Sequence, residues 1–148
     1  MRQTDKNWTL SAILLAVAGT SLVLMGLYLL LLRPALLPED IRFMALSDAQ
    51  LASVRPQLEA WLSHVFEVLG GYVLATAVLT ITLAATAYRA HHRGAGIGAL
   101  IGGAASIGLM AEVNFAIDSD FKWVLLGIAL IWALSLTVFW VEENRTGS

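Results

Sequence analysis

LSAILLAVAGTSLVLMGLYLLLL, which is Leu10–Leu32, is a run of 23 residues that contains no charged side chain. An α-helix rises about 1.5 Å per residue, so roughly 20 residues are enough to cross a hydrocarbon core about 30 Å thick. This run therefore predicts a membrane-spanning helix.

Three further stretches have the same character. They are residues 64–88, 95–117 and 123–141. The first carries no charge from Val68 onward, the second has Glu112 as its one charged residue, and the third has none. The 148-residue chain is 58% hydrophobic and 14% charged, with a mean hydropathy of +0.75, which is far more apolar than a soluble domain. The sequence predicts an all-α polytopic membrane protein, in which residues 1–148 form a single membrane domain built on a four-transmembrane-helix bundle.

Charge and cysteine content exclude several classes of function. The formal net charge is −2 and the basic residues are scattered, whereas nucleic-acid binding needs a clustered basic face. The chain has no cysteine, so disulfides, thiolate metal sites and iron–sulfur clusters are all excluded.

The N-terminal segment could be mistaken for a secretory signal, since Arg2 and Lys6 precede an apolar run. A signal peptide, however, has an apolar region of only about 7–15 residues and ends in a small-residue cleavage motif. Here the run is longer, and Arg33-Pro34 follows it directly. We therefore expect an uncleaved first span.

The longest loop, residues 33–63, is predicted to be helical in two pieces. Pro38 followed by Glu39 and Asp40 is typical of a helix start, because proline loses no hydrogen bond there and acidic groups favour the positive end of the helix dipole. Ser47 and Gln50 match the capping box that begins a second helix.

The second helical piece carries an apolar stripe at helical spacing. The stripe consists of Leu51, Val54, Leu58, Trp61 or Leu62, and Val65. Pro56 is expected to kink or restart the helix before it runs into the second span. An amphipathic helical segment of this kind is expected to lie on the membrane surface or cap the bundle, and a partner-docking helix is the alternative.

The distribution of Lys and Arg gives a modest orientation signal. One side of the predicted bundle carries five such residues and the other four, spread over the longer loop. The five are Arg2, Lys6, Arg89, Arg93 and Arg145. We expect both termini to be cytoplasmic, the 33–63 connector to lie outside, and the membrane to be the bacterial inner membrane.

The third predicted span carries a ridge of small residues, Gly94, Gly98, Gly102 and Ser106. Small residues at every fourth position let two helix backbones approach closely in a membrane. The ridge is therefore expected to lie against another helix, either within the chain or in a homo- or hetero-oligomer. It lacks the Lys-Ser/Thr ending of a phosphate-binding loop, so nucleotide binding is dismissed.

Histidine and tryptophan residues near the span ends have simpler interpretations than ligand binding. His91 and His92 are adjacent and diverge by about 100° on a helix, so we expect a solvated loop near lipid head groups rather than a shared ion. Trp8, Trp61, Trp123 and Trp140 are placed as interfacial anchors. Trp132 lies in mid-span, where it could pack between helices or face lipid.

Several polar residues are predicted to lie at a similar depth in the membrane, judged by their distance along the chain from the turn that joins the second and third spans. They are Arg33, His64, Glu67, Glu112, Asn114 and Asp118. A carboxylate as deep as Glu112 should face the bundle interior or water and find a partner. The cluster is expected either to be structural or to form a site for a proton, a cation or a polar head group, with His64, Glu67, Glu112 and Asp118 as the candidate metal ligands.

The stretch HVFEVLGGYVLATA, residues 64–77, resembles a group of uncharacterised small bacterial four-helix membrane proteins that carry a Gly-Gly pair early in the second helix. The pair here is Gly70-Gly71. The group has a basic residue shortly before this pair, where this chain has Glu67. The resemblance implies a four-helix fold and no particular activity.

Two main functions fit these observations, since no catalytic residues are recognised and no cofactor is identified. The first is a non-catalytic accessory or structural subunit of a membrane complex, with the lipid bilayer and a protein partner or a second copy as its contacts. The alternative is a small oligomeric proton- or cation-coupled carrier or channel that uses Glu67 and Glu112. A membrane-embedded enzyme is a third, weaker possibility.

The predicted topology can be tested with reporter fusions at Gly94 and after Ser148. With four spans and both termini inside, both fusions should report the cytoplasm. Two periplasmic signals would reverse the orientation, and opposite signals would contradict the number of spans.

Overall fold

The computed structural model describes residues 8–146, in which every regular element is helical. The helices are α1 (Leu10–Leu31), α2 (Pro38–Met44), α3 (Asp48–Leu83), α4 (Arg93–Gly103), α5 (Leu109–Ala116) and α6 (Lys122–Thr146). A π turn, Ala84–Tyr88, extends α3, and another, Ala104–Gly108, joins α4 to α5. Arg2 and Lys6, used in the sequence analysis, lie outside the described residues.

Four of these helical units are long and apolar enough to cross a membrane. They are span 1 (Leu10–Leu31), span 2 (Asp48–Tyr88), span 3 (Arg93–Ala116) and span 4 (Lys122–Arg145). The prediction of an all-helical chain with four helices long and apolar enough to span a membrane is therefore confirmed, and this fits an integral membrane protein. We call the end of the bundle with residues 32–47 and 117–121 the connector end, and the opposite end the terminal end.

The two helix starts predicted in the connector are both present. Pro38 is at the first position of α2, and Asp40 accepts a hydrogen bond from the Leu37 backbone N–H at 2.9 Å. At the start of α3, Ser47 accepts from the Gln50 N–H, while Gln50 Oε1 accepts from the Ser47 N–H at 3.0 Å. Local capping chemistry therefore fixes both starts.

The predicted connector helix runs on into the second span, as expected, but it does not restart at Pro56. Its first part, Asp48–Ser63, and the rest of span 2 form one continuous helix. At about 1.5 Å per residue the 36-residue helix is about 54 Å long, well beyond a hydrocarbon core of about 30 Å. We call Asp48–Ser63 the α3 extension; along its apolar stripe Leu51 is buried but Trp61 is exposed.

α1 is the central helix of the bundle. It packs along α3 on one side and along α6 on the other, whereas α4 and α5 pack mainly on α6. The α1–α3 contact is close, because a Cβ added at Gly26 would lie 3.0 Å from the Leu74 backbone nitrogen, and one at Gly70 would lie 2.7 Å from Leu30 Cγ. Spans 2 and 3 meet chiefly where the Ala84–Tyr88 turn contacts α4, so they separate toward the connector end.

Spans 3 and 4 pack by placing aromatic rings of α6 against glycines of α4. A Cβ added at Gly96 would lie 2.5 Å from Phe139 Cε1, and one at Gly103 would overlap the Trp132 indole. Trp132 Nε1 also donates to the Ala99 carbonyl at 2.9 Å. Of the two alternatives for Trp132, packing between helices is therefore the one observed.

The predicted ridge of Gly94, Gly98, Gly102 and Ser106 does not form this contact, so the expectation of packing within the chain is wrong. A Cβ at Gly98 or Gly102 would meet nothing within 4 Å. The physical reason is that the large rings of α6 need notches, and Gly96, Ala99 and Gly103 supply them on a different face of the helix. The ridge is left at the surface, where contact with another chain stays a prediction.

Adjacent glycines provide a matched test of this packing. Gly103→Leu should lower the free energy of unfolding by about 1–3 kcal/mol relative to Gly102→Leu, because only the former overlaps Trp132. Both changes add the same helix propensity, so that contribution cancels. Thermal unfolding in mild detergent measures the difference, and equal stability of the two variants would contradict the packing described. A change of oligomeric state in Gly102→Leu alone would identify the ridge as a contact between chains.

Candidate functional site: a cleft at the connector end

A cavity with a volume of about 550 Å³ lies where spans 2 and 3 separate. We call it the connector cleft. α1 forms its floor, α3 and α5 form its walls, and α2 closes its polar end. The mostly apolar part of the cleft is lined by residues that include Leu22, Met25, Phe66, Tyr72, Val73, Thr76, Ala105, Leu109 and Val113.

The cleft opens sideways between spans 2 and 3. Tyr72 on α3, whose residue surface is 72% exposed, and Leu109 and Val113 on α5, which are also exposed, lie at its edges. These residues belong to the apolar parts of the helices rather than to the connecting turns. The opening is therefore bordered by hydrocarbon side chains.

Arg33 organises the polar end of the cleft. Its Nη2 forms an ion pair with Asp40 Oδ2 at 2.9 Å, and its Nη1 donates to the carbonyls of Pro34 and Ala35 at 2.9 and 3.3 Å. The guanidinium carbon is 3.5 Å from the centre of the Phe66 ring, and the side chain is only 9% exposed. A guanidinium held in this way is fixed in position by charge, hydrogen bonds and a cation–π contact together.

Glu39 is the most deeply buried acidic residue of the described chain, with 2% of its surface exposed. It lies in the first turn of α2 and lines the cleft. Ser119 Oγ donates to Glu39 Oε1 at 3.3 Å and accepts from the Phe121 N–H at 3.1 Å. The turn between α5 and α6 is thereby tied to α2 across the end of the bundle.

An ion pair stabilises the same turn on its outer side. Asp118 has a left-handed backbone conformation, with φ 52°, and its carboxylate pairs with Lys122 at the start of α6. The hydrogen bond from Lys122 lowers the pKa of Asp118 below its ordinary value. Asp118 is therefore engaged in the turn rather than in the cleft.

The predicted polar cluster is not assembled in residues 8–146. Arg33 pairs with Asp40, Asp118 pairs with Lys122, and Asn114 donates to the Met110 carbonyl of its own helix. Only His64 and Glu67 come together, at 3.6 Å, and both are largely exposed.

Glu112 is exposed on α5 and forms no ion pair within the described chain, so it neither lies in the bundle interior nor has the expected partner. Nor do the described residues contain any group of three His, Asp or Glu side chains that could hold a metal ion. The physical reason is that α5 buries Ala111, and the next residue on a helix points about 100° away from it.

A second polar network, at the terminal end, was missed by the sequence analysis. Tyr88 and Ser135 are fully buried, and their hydroxyl oxygens are 3.0 Å apart. Ser135 donates to the Ser11 carbonyl at 2.8 Å, so the Tyr88 hydroxyl must donate to Ser135. Ser11 in turn donates to Glu142 Oε2 at 2.5 Å. The signal in the sequence was the presence of hydroxyl groups within otherwise apolar spans, because such groups turn inward.

His91 was expected to lie in a solvated loop, but it lies beside this network. It has φ 51°, its ring centre is 5.2 Å from that of Phe139, and its Nε2 is 3.7 Å from Glu142 Oε2. His92 is exposed, as expected, and Arg93 pairs with Glu143 at 3.4 Å. The network joins α1, the turn between spans 2 and 3, and α6. Tyr88 donates to Ser135, and Ser135 donates to a backbone carbonyl, so this chain of hydroxyls ends on the backbone and is the arrangement of a structural network.

Comparison of the chain with protein-family models, with curated proteins and with solved structures finds no match.

Two hydroxyl deletions test the buried network. Tyr88→Phe should cost about 0.5–1.5 kcal/mol, whereas Ser135→Ala should cost more, because it leaves the buried Tyr88 hydroxyl without an acceptor. The double variant should cost less than the sum of the two. Thermal unfolding measures all three, with the exposed Tyr72→Phe as a control. Additive effects of the two deletions would mean that the hydroxyls are not coupled.

Proposed function

We propose that this chain is a non-catalytic integral membrane protein that holds one lipid-like molecule in the connector cleft. The observation that carries the proposal is the cleft itself. Its volume of about 550 Å³ falls within the range of about 300–1,000 Å³ common for small-molecule sites. Its walls are mostly apolar, its charged groups are gathered at one end, and its side opening would face acyl chains in a bilayer.

The arrangement matches the chemistry of an amphipathic ligand. Hydrocarbon chains would pack against Leu22, Val73 and Leu109, and a head group would lie at the end formed by Arg33 and Glu39. The cleft offers no activated nucleophile or metal-ligand set among the described residues, which favours binding over chemistry.

An accessory role in a membrane complex is part of the same proposal. The ridge of Gly94, Gly98 and Gly102 is unoccupied within the chain, and it is the kind of surface at which membrane helices associate. The α3 extension, at the start of the helix that forms span 2, presents a second exposed surface. The proposed location is the bacterial inner membrane with cytoplasmic termini; the Lys and Arg distribution supports the orientation, and the resemblance to small bacterial membrane proteins supports the compartment.

The alternative of a proton or cation carrier has less support. Glu67 pairs with His64 at an exposed position, while Glu112 is exposed on α5 with no ion pair in the described part of the chain. A pathway would require these carboxylates to line an interior or a contact between copies. The connector cleft needs no such further assumption.

Two neighbouring alanines of the π turn allow a matched test. Ala105 lines the cleft, whereas Ala104 is similarly exposed but does not. The full chain purified in mild detergent should retain one lipid-like molecule, detected as added mass by native mass spectrometry. Ala105→Phe should fill the cleft and lose that mass, and Ala104→Phe should keep it.

The result that would overturn the proposal is equally direct. Absence of a retained molecule in the unsubstituted chain, both in detergent and in lipid nanodiscs, would remove the binding function. Equal retention by Ala104→Phe and Ala105→Phe would mean that any bound lipid lies elsewhere on the protein.

A further inference from the structure

The polar end of the connector cleft carries more negative than positive charge. The only charged residues that line the cleft are Arg33, Glu39 and Asp40. Arg33 and Asp40 form a close ion pair and largely compensate one another. Glu39 has no cationic partner among residues 8–146, so in this part of the chain the end of the cleft carries an uncompensated carboxylate.

Arg33 is already bound by acceptors of its own chain. The two terminal nitrogens of Arg33 donate to Asp40 and to backbone carbonyls, and the ring of Phe66 covers its guanidinium carbon. The hydroxyl hydrogen of Ser119 is directed to Glu39. An anionic head group would therefore have to compete with Asp40 for Arg33.

Acceptor oxygens, in contrast, are available. Both hydrogen bonds of Asp40 use the same oxygen, Oδ2, and the bond received by Glu39 uses Oε1. The other oxygen of each carboxylate accepts no hydrogen bond from residues 8–146. Glu39 is almost wholly buried with a single neutral donor at 3.3 Å, and a buried carboxylate is stabilised best by a cationic donor.

We infer that the connector cleft selects a lipid-like molecule whose head group is an ammonium, which donates to Glu39 and Asp40 while its chain lies along α1 and α3. This inference rests on the proposed function. It goes beyond it by giving the chemical class of the head group and the residue, Glu39, that selects it.

The selectivity can be measured with three probes that share one hydrocarbon chain: oleylamine, oleyl alcohol and oleyl sulfate. Each is added at the same concentration to the full chain in mild detergent near neutral pH, and native mass spectrometry gives the bound fraction. Oleylamine should bind about tenfold more tightly than oleyl alcohol, since a hydrogen bond to a charged partner is the stronger one. Oleyl sulfate should bind most weakly.

Variants then assign the preference to Glu39. Glu39→Gln should reduce the preference for oleylamine over oleyl alcohol by about tenfold and leave oleyl alcohol binding in place. Glu67→Gln removes the same charge at an exposed site outside the cleft and should leave the preference unchanged. Ser119→Ala keeps Glu39 but removes its protein donor, and it should strengthen oleylamine binding; this variant also serves if Glu39→Gln does not fold.

The outcomes separate this inference from the function on which it rests. Binding of all three probes with equal affinity, abolished by Ala105→Phe, would overturn the ammonium selectivity and leave the lipid site intact. A preference for oleyl sulfate, or an amine preference that survives Glu39→Gln, would also overturn it. Binding of none of the probes would overturn the inference and the proposed function together.

Discussion

The close approach of α1 to both α3 and α6 is the constraint on which the rest of the structure depends. Gly26 and Gly70 let α1 and α3 pack nearly backbone to backbone, and the Ser135 hydroxyl bonds α6 to the Ser11 carbonyl at 2.8 Å. Span 3 is held by α6 rather than by α1. Spans 2 and 3 are therefore held by different helices, α1 and α6, and they separate once they leave the terminal end.

That separation produces the cleft, and the short elements at the connector end give it polarity. α2 and the turn before α6 bring Glu39 and Ser119 together across the opening, although they are 80 residues apart in the chain. Arg33 is fixed against Phe66 at the same end. A hydrocarbon-lined space with one polar end is thus a consequence of how four helices are paired, and it needs no insertion or separate domain.

The spans and helix starts could be predicted from the sequence because they depend on local properties. A charge-free run fixes a span by its length, and Pro38, Ser47 and Gln50 act on backbone groups within one turn. The candidate site could not be predicted in the same way. Residue counting gives the height of Glu112 in the bundle but not the face it occupies, and α5 buries the neighbouring Ala111 instead.

Glycine spacing was ambiguous for a related reason. A regular ridge at Gly94, Gly98 and Gly102 predicts close contact between backbones, whereas α6 presents the rings of Trp132 and Phe139 and requires notches instead. The partner surface decides which glycines are used. Glu39 could be identified from the sequence as a helix-start residue, but its burial depends on Ser119, which lies far along the chain.

The unbroken course of α3 has a mechanical consequence. The α3 extension and the wall residues Phe66 and Tyr72 belong to one continuous helix, so a tilt of the extension would also move this wall of the cleft. The helix is held against α1 where Gly70 lies close to Gly26 and Leu30, so a tilt would turn about this contact. A force applied to the extension would tilt the wall and change the width of the opening, which couples events outside the bundle to the space within it.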